Sequence, residues 1–356
     1  MRIGVDAREI VGYATGVGRY LGGLLREWTR AEATHGHEIV LYAHQPIPAF
    51  SHANVRCLPG AGGTAWEQLT LGRAVANDKV DVLFSPAYST PLTTRVPRVV
   101  ALHDISFAAR PEWFAWREGV RRRVLARRSA EASRAVVTIS AFSKSEIMRV
   151  FGTAADKIHV VPPGIDVPAC ERTNESVSRA TVLYVGSIFA RRHVPDLLAA
   201  FERLATRHPD AALDLVGDNR SYPAEDIAAL IQRSANASHI RWHRYAPDHE
   251  LWRLYSEARA FAFLSEYEGL GLTPLEALAV GIPSVLLDTA VAREACGDAA
   301  LYVPLGDIGA TTSALDTLLY DNAARARLLA AAPGVLSRFD WRQAAAGTLT
   351  ILESAA

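Results

Sequence analysis

An alternation that runs through this chain twice constrains its fold more than any other feature. Short apolar runs alternate with longer stretches of helical period. In the first half the apolar runs are Arg2–Asp6, Glu38–Ala43, Val80–Ser85, Val96–Leu102, Val136–Ile139 and Ile158–Val161, and Tyr20–Thr34 reads as an amphipathic helix. In the second half they are Thr181–Val185, Ala212–Val216, His239–Trp242, Ala260–Leu264 and Ser284–Leu287. Helical stretches there cover Pro195–Arg207, Glu225–Ala235, Leu251–Ala258, Pro274–Val280, Ile308–Leu319, Ala323–Leu336 and Trp341–Glu353. Strands separated by helices are joined by crossovers, so each half reads as parallel βαβ units in a doubly wound sheet. Pro162-Pro163-Gly164 closes the first half, and the polar, aperiodic residues 168–178 read as a linker. A chain of 356 residues exceeds one ordinary core, which fits two α/β domains. Ligands of such sheets sit beyond the carboxyl ends of the strands, so a cleft between the two domains is expected.

Composition excludes several classes. The formal net charge is zero, without the basic excess of a nucleic-acid binder. Cys57, Cys170 and Cys296 are far apart, which argues against a disulfide framework and fits a reducing cytosol. Met1 leads directly into a strand-like segment with no signal peptide, and no apolar run reaches the ~18 residues of a membrane span. No two aspartates are separated by a single residue, and the histidines lack HExxH spacing, so no metal site is expected.

The chemistry is expected in the loops that follow strands. After Ala260–Leu264 come Glu268, Gly269, Leu270, Gly271 and Leu272, then a helix that carries Pro274 in its first turn and Glu276 early on, eight residues after Glu268. The N–H groups of such a helix start suit a phosphate, and the two carboxylates suit sugar hydroxyls. Gly16 and Gly18 follow the first strand. A dinucleotide fingerprint would need a third glycine where Leu21 stands, so these glycines read as a tight turn near a phosphate or as a plain turn. His103-Asp104 follows an inner strand, where active-site groups collect. The loop from Gly186 to His193 carries Arg191 and Arg192, suited to a diphosphate or else simply solvated. Trp113 and Trp116 followed by Arg117, Arg121, Arg122, Arg123, Arg127 and Arg128 suit either an anionic membrane surface or a solvated helix.

Together these loops resemble the retaining GT-B glycosyltransferases of family four, the large group that includes bacterial mannosyl- and rhamnosyltransferases. The resemblance rests on Gly16-Val17-Gly18-Arg19-Tyr20, His103-Asp104-Ile105-Ser106-Phe107, Ile139-Ser140-Ala141-Phe142-Ser143 and Val161-Pro162-Pro163-Gly164-Ile165-Asp166. It continues through Gly186–His193 and the pair Glu268 and Glu276 to Phe339-Asp340-Trp341. It implies two Rossmann-like domains: 1–167 with 341–356 for the acceptor, because the last helix crosses back, and 179–340 for the nucleotide sugar. It also implies a cytoplasmic, metal-independent transfer from a nucleoside-diphosphate sugar to a hydroxyl of a glycan, lipid-linked saccharide or small molecule. Peripheral membrane contact through residues 113–128 is expected only from the basic, aromatic character of that stretch. The roles it implies put Gly16, Gly18 and Gly186 near the diphosphate, held by Arg191 and Arg192. His103 lies by the reaction centre, Glu268 and the amides of Gly269–Leu272 by the donor sugar, and Glu276 on the ribose. Arg192-His193 for Lys-Asn, Leu270 for Phe, Thr273 for Pro, and His243-Arg244-Tyr245 for a glycine depart from the family pattern. A GT-B epimerase or phosphorylase and a catalytically silent nucleotide-sugar binder are the competing readings. The phosphorylase is disfavoured because Lys79, Lys144 and Lys157, the chain's only lysines, all fall in the first half.

Overall fold

The computed structural model describes residues 1–12, 16–30, 36–166 and 180–356. It divides into two compact units: Met1–Gly164 with Phe339–Ala356, and Ile165–Arg338. The expected linker, 168–178, lies outside the described residues.

Unit 1 holds a seven-stranded sheet of β1 (Arg2–Asp6), β2 (Glu38–Ala43), β3 (Ala53–Cys57), β4 (Val82–Ser85), β5 (Arg98–Ala101), β6 (Ala135–Thr138) and β7 (Ile158–Val160). Its order is β3-β2-β1-β4-β5-β6-β7, with every pairing parallel. Unit 2 holds six parallel strands, β8 (Thr181–Val185), β9 (Ala212–Val216), β10 (Ile240–His243), β11 (Ala260–Phe263), β12 (Ser284–Leu287) and β13 (Ala300–Val303), in the order β10-β9-β8-β11-β12-β13. Both sheets wind outward from their first strand, then restart on its other side. The direction reverses between β1 and β4 and between β8 and β11, and ligands bind in the crevice that such a reversal opens.

Inner strands such as β6, β11 and β12 are buried at every residue, which is why they read as unbroken apolar runs. The edge strand β3 is mostly exposed, and its Ala-Asn-Val-Arg-Cys sequence gives no apolar run to detect. β13 is the other strand that the sequence pattern lacks. The expected helix Ala323–Leu336 is two helices, Asn322–Ala330 and Ala332–Leu336. Pro333 has no N–H to extend the first helix but fits the opening turn of the second.

The first helix spans Gly16–Trp28 and buries Tyr20, Leu21, Leu24, Leu25 and Trp28 on one side. It begins earlier than the expected Tyr20, so Gly16 and Gly18 lie in its first turn rather than in a free-standing loop. Its expected end at Thr34 falls outside the described residues. The last helix, Trp341–Ala355, starts at Asp340, whose carboxylate accepts from the Gln343 N–H at 2.9 Å. Trp341 packs against two glycines, where side chains are lacking. A Cβ on Gly23 would sit 2.5 Å from its ring, and one on Gly164 would overlap it. Trp28 Nε1 donates to the Ala345 carbonyl at 2.9 Å, a second tie between the same helices. Gly23→Ala should therefore lower unfolding stability by about 1–3 kcal/mol through overpacking, read as a lower midpoint in denaturant titration.

Candidate functional site

In unit 2 the reversal point is closed by two loops. Leaving β8, Gly186 takes φ +146°, where an added Cβ would lie 2.6 Å from Arg192 Nη1. A Cβ on Gly217, just past β9, would overlap the Gly186 carbonyl. Only glycine lets these two turns approach so closely. The first loop continues through the short turn Ala190–Arg192 and His193, at φ +47°, into the helix Val194–Arg207. The second leaves β11, passes Glu268, and reaches Gly271, at φ +91°, where the helix Leu272–Ala279 starts.

The loops meet through Arg192, whose Nε donates to Glu268 Oε1 at 2.7 Å while Nη1 donates to the Ser187 carbonyl at 2.9 Å. Ser265 Oγ donates to the same Glu268 oxygen at 2.8 Å. The guanidinium carbon lies 4.8 Å from the Phe263 ring centre and 5.3 Å from that of Phe189. Burial works to raise the Glu268 carboxyl, but the charges of Arg192 and Arg191 outweigh it and hold the group below the usual carboxylate range. Burial likewise opposes the charge on Arg192, and Glu268 more than offsets it. Both members stay charged, and removing one would strand the other.

The two adjacent arginines, expected to act together on a diphosphate, have different protein partners. Arg191 is 7% exposed, donates from Nε to the Tyr267 carbonyl at 3.2 Å, and lies 4.4 Å from the Phe189 ring centre. Its carbonyl accepts from the Glu266 N–H at 2.9 Å. Arg191 thus ties the loops together, and Arg192 donates directly to Glu268. His193 Nε2 is 3.3 Å from Glu266 Oε2.

No side chain caps the helix that starts at Leu272, so its first N–H groups await a partner of another kind. Glu276, half-buried in that helix, accepts from the Tyr255 hydroxyl at 3.1 Å. Gly269 and Leu270 are buried. A small recess opens beside Glu268, with Ser265, Leu270, Gly271, Pro274 and Thr289 among its walls. Farther along the same sheet edge His243 ends β10, and Arg244 lies over Trp242 at 5.1 Å. Tyr245 is 66% exposed.

In unit 1 His103 follows β5 by two residues. Its Nε2 lies 2.9 Å from the Pro86 carbonyl, which can only accept. Nε2 therefore carries the proton, and Nδ1 keeps its lone pair. The Tyr20 ring stands edge-on at 4.4 Å, and Ser143 Oγ donates to the His103 carbonyl at 3.0 Å. Burial pushes the imidazole down to about 4, against a smaller opposing effect of the Pro86 hydrogen bond. At neutral pH His103 is uncharged.

A second cluster in unit 1 escaped the sequence reading. Asp6, the last residue of β1, is 3% exposed, and Glu67 is 1% exposed. Both accept from Arg8, whose Nη2 lies 2.6 Å from Asp6 Oδ2 and 2.7 Å from Glu67 Oε1. The available signal was an acidic residue closing an otherwise apolar buried strand. The basic segment forms the helix Trp116–Ala132, with Trp116 76% and Val124 54% exposed. Arg122 pairs with Glu118, and Arg127 and Arg128 both pair with Glu131. No helix among the described residues is long and apolar enough to cross a membrane. No group of three or more His, Cys, Asp or Glu among them could hold a metal ion.

Comparison with known proteins follows this division of the chain. Residues 171–334 match the family described as glycosyl transferases group 1, and residues 14–168 match Glycosyltransferase Family 4. The chain belongs to the family-four glycosyltransferases. It is 28% identical to the O-antigen chain mannosyltransferase B of Escherichia coli over 70% of this chain and 68% of that protein. It is also 28% identical to a glycogen synthase of Mycobacterium tuberculosis over 90% and 77%. Among solved structures, the Anabaena HepE protein in complex with UDP and glucose superposes with a TM-score of 0.78 at 17% identity, covering 99% of this chain and all of that one. This likeness places both units of the family-four chain in the GT-B fold.

The state of His103 gives a pH prediction. As pH falls below about 6.5 the unfolded imidazole takes up a proton, whereas the folded one resists until about 4. Unfolding is therefore favoured progressively across that window, by about 3 kcal/mol at its lower end. Melting temperature measured against pH should fall less steeply there in His103→Gln than in the unaltered protein.

Proposed function

We propose that the chain transfers a hexosyl unit from a nucleoside-diphosphate sugar to a hydroxyl of a glycan, lipid-linked saccharide or small molecule. The anomeric configuration is retained, and neither a metal ion nor another cofactor takes part. Mannose or a deoxyhexose such as rhamnose is the favoured sugar, on the strength of the mannosyltransferase relative. Unit 2 takes the donor and unit 1 the acceptor. The observation that carries this reading is the buried Arg192–Glu268 pair beside the uncapped helix start at Leu272.

In the reaction the bond between the anomeric carbon and the diphosphate oxygen breaks while the acceptor oxygen bonds to that carbon. The acceptor's proton passes to the departing phosphate. Negative charge grows on the leaving group. Arg192 and the N–H groups at the helix start stabilise this added charge more than they stabilise the intact donor, whose diphosphate carries less, which is the condition for acceleration. Arg191 keeps the loop in place, and Gly186 leaves room for Arg192. Glu268, held ionised by Arg192, accepts hydrogen bonds from donor-sugar hydroxyls and does not serve as an acid. Glu276 accepts from the ribose. His103, neutral with a lone pair on Nδ1, accepts from a sugar hydroxyl. Gly16 and Gly18, in the first turn of the first helix, lie near the diphosphate in this reading. The location taken with this reading is cytoplasmic, and peripheral contact with an anionic membrane face is supported by Trp116 and Val124 standing exposed among arginines.

Incubation with GDP-mannose, UDP-glucose and dTDP-rhamnose, with product anomers read by NMR, tests the reaction. We expect one donor to be consumed, retention at the anomeric carbon, and activity unchanged by EDTA; an inverted product contradicts the proposal. Arg192→Gln should lower kcat/KM by roughly 10²–10³. Glu276→Ala should raise the donor KM with a smaller change in kcat, and an unchanged donor KM would remove the ribose contact. Co-sedimentation with phosphatidylglycerol vesicles should fall in Trp116→Ser.

A further inference from the structure

The Asp6–Arg8–Glu67 cluster has no part in the chemistry above, yet it occupies a privileged place. Asp6 ends β1, and Ser89, four residues past the end of β4, donates from Oγ to Glu67 Oε1 at 2.7 Å. The cluster therefore spans the two strands between which the unit 1 sheet reverses, where a doubly wound sheet receives its ligand. Glu67 sits on a π-helical turn, Trp66–Leu71, a rare conformation that recurs at functional sites.

Its charge is unbalanced. Two nearly inaccessible carboxylates face one guanidinium, a formal excess of one negative charge. Arg8 donates from Nε to both Asp6 oxygens, from Nη2 to Asp6 and Glu67, and from Nη1 to the Gly62 carbonyl at 3.1 Å. These bonds occupy four of its five N–H groups. Burial opposes the charge of Arg8, and the two carboxylates more than restore it. The guanidinium also lies over the Trp66 ring at 5.4 Å. An arginine committed in this way has no fork left for bidentate capture of a phosphate. His103, on the same carboxyl edge, is neutral and adds no positive charge.

We infer that the Asp6–Arg8–Glu67 cluster selects an uncharged hydroxyl acceptor against a phosphorylated one. The inference rests on the reading that unit 1 takes the acceptor. Its action is through the field of a buried charge, which weakens slowly with distance where the surroundings are poorly polarisable. Glu67 and Asp6 are specificity-determining residues here and touch no reacting atom.

The test uses the full chain, the nucleotide sugar selected by the donor panel, and acceptor pairs that differ only by a phosphate: mannose with mannose 6-phosphate, and myo-inositol with its 3-phosphate. The unaltered protein should use the neutral member at least about tenfold more efficiently in kcat/KM. Glu67→Gln keeps the shape and removes the excess charge, and should lower KM for the phosphorylated member roughly three- to tenfold while leaving the neutral member's KM in place. Asp6→Asn, a second isosteric change, should act in the same direction; melting curves of both variants report folding. A preference for the phosphorylated member in the unaltered protein overturns the inference. A shift of both acceptor KM values by the same factor in Glu67→Gln also overturns it, while leaving the acceptor on unit 1. An unchanged KM for both members, in two folded variants, likewise overturns the inference.

Discussion

The ion pair between Arg192 and Glu268 is the interaction on which the rest of unit 2 depends. Its members come from loops after β8 and β11, far apart in sequence, and their side chains are only 13% and 14% exposed. Neither charge would be tolerable alone in that setting. The surrounding details serve the pair: glycine at 186 makes space for the guanidinium, Phe189 and Phe263 present ring faces to it, and Ser265 gives Glu268 a further donor. The result is a fixed pattern of charge next to a helix start that no side chain closes.

The same arrangement, in outline, occurs in unit 1. Both sheets wind in the same sense from their first strand, so corresponding loops meet at corresponding reversal points. In each unit an arginine just after the first strand is committed to a buried carboxylate, Arg192 to Glu268 and Arg8 to Asp6 and Glu67. The balance differs. In unit 2 one cation meets one anion beside free N–H groups, a setting suited to phosphate. In unit 1 two anions outweigh one cation. The two units share a topology and differ in the charge they present to a ligand.

The sequence revealed what burial writes into it. β2, β8, β9 and β12 could be read to the residue, because apolar neighbours cover them. β3 could not, since an exposed edge strand needs no apolar run. The loops bearing Glu268 and Arg192 were legible as polar breaks after strands. Which of two adjacent arginines turns towards Glu268 was not, because the tight turn Ala190–Arg192 and its contact with Phe189 decide it. The start of the first helix at Gly16 was hidden by glycines that usually mark turns. Arg8 and Glu67 stand 59 positions apart, and no local pattern links them.

The central claim is that Arg192, oriented by Glu268, binds the diphosphate of a nucleotide. The most direct measurement is calorimetric titration of GDP, UDP and dTDP into the unaltered protein and into Arg192→Met, which keeps the length and apolar contacts of the side chain but removes its charge. The account predicts that at least one nucleotide binds the unaltered protein and that its Kd rises by at least about tenfold in the variant, as expected for loss of a charge-assisted hydrogen bond. Equal affinity for the two proteins, with the variant folded, would contradict it.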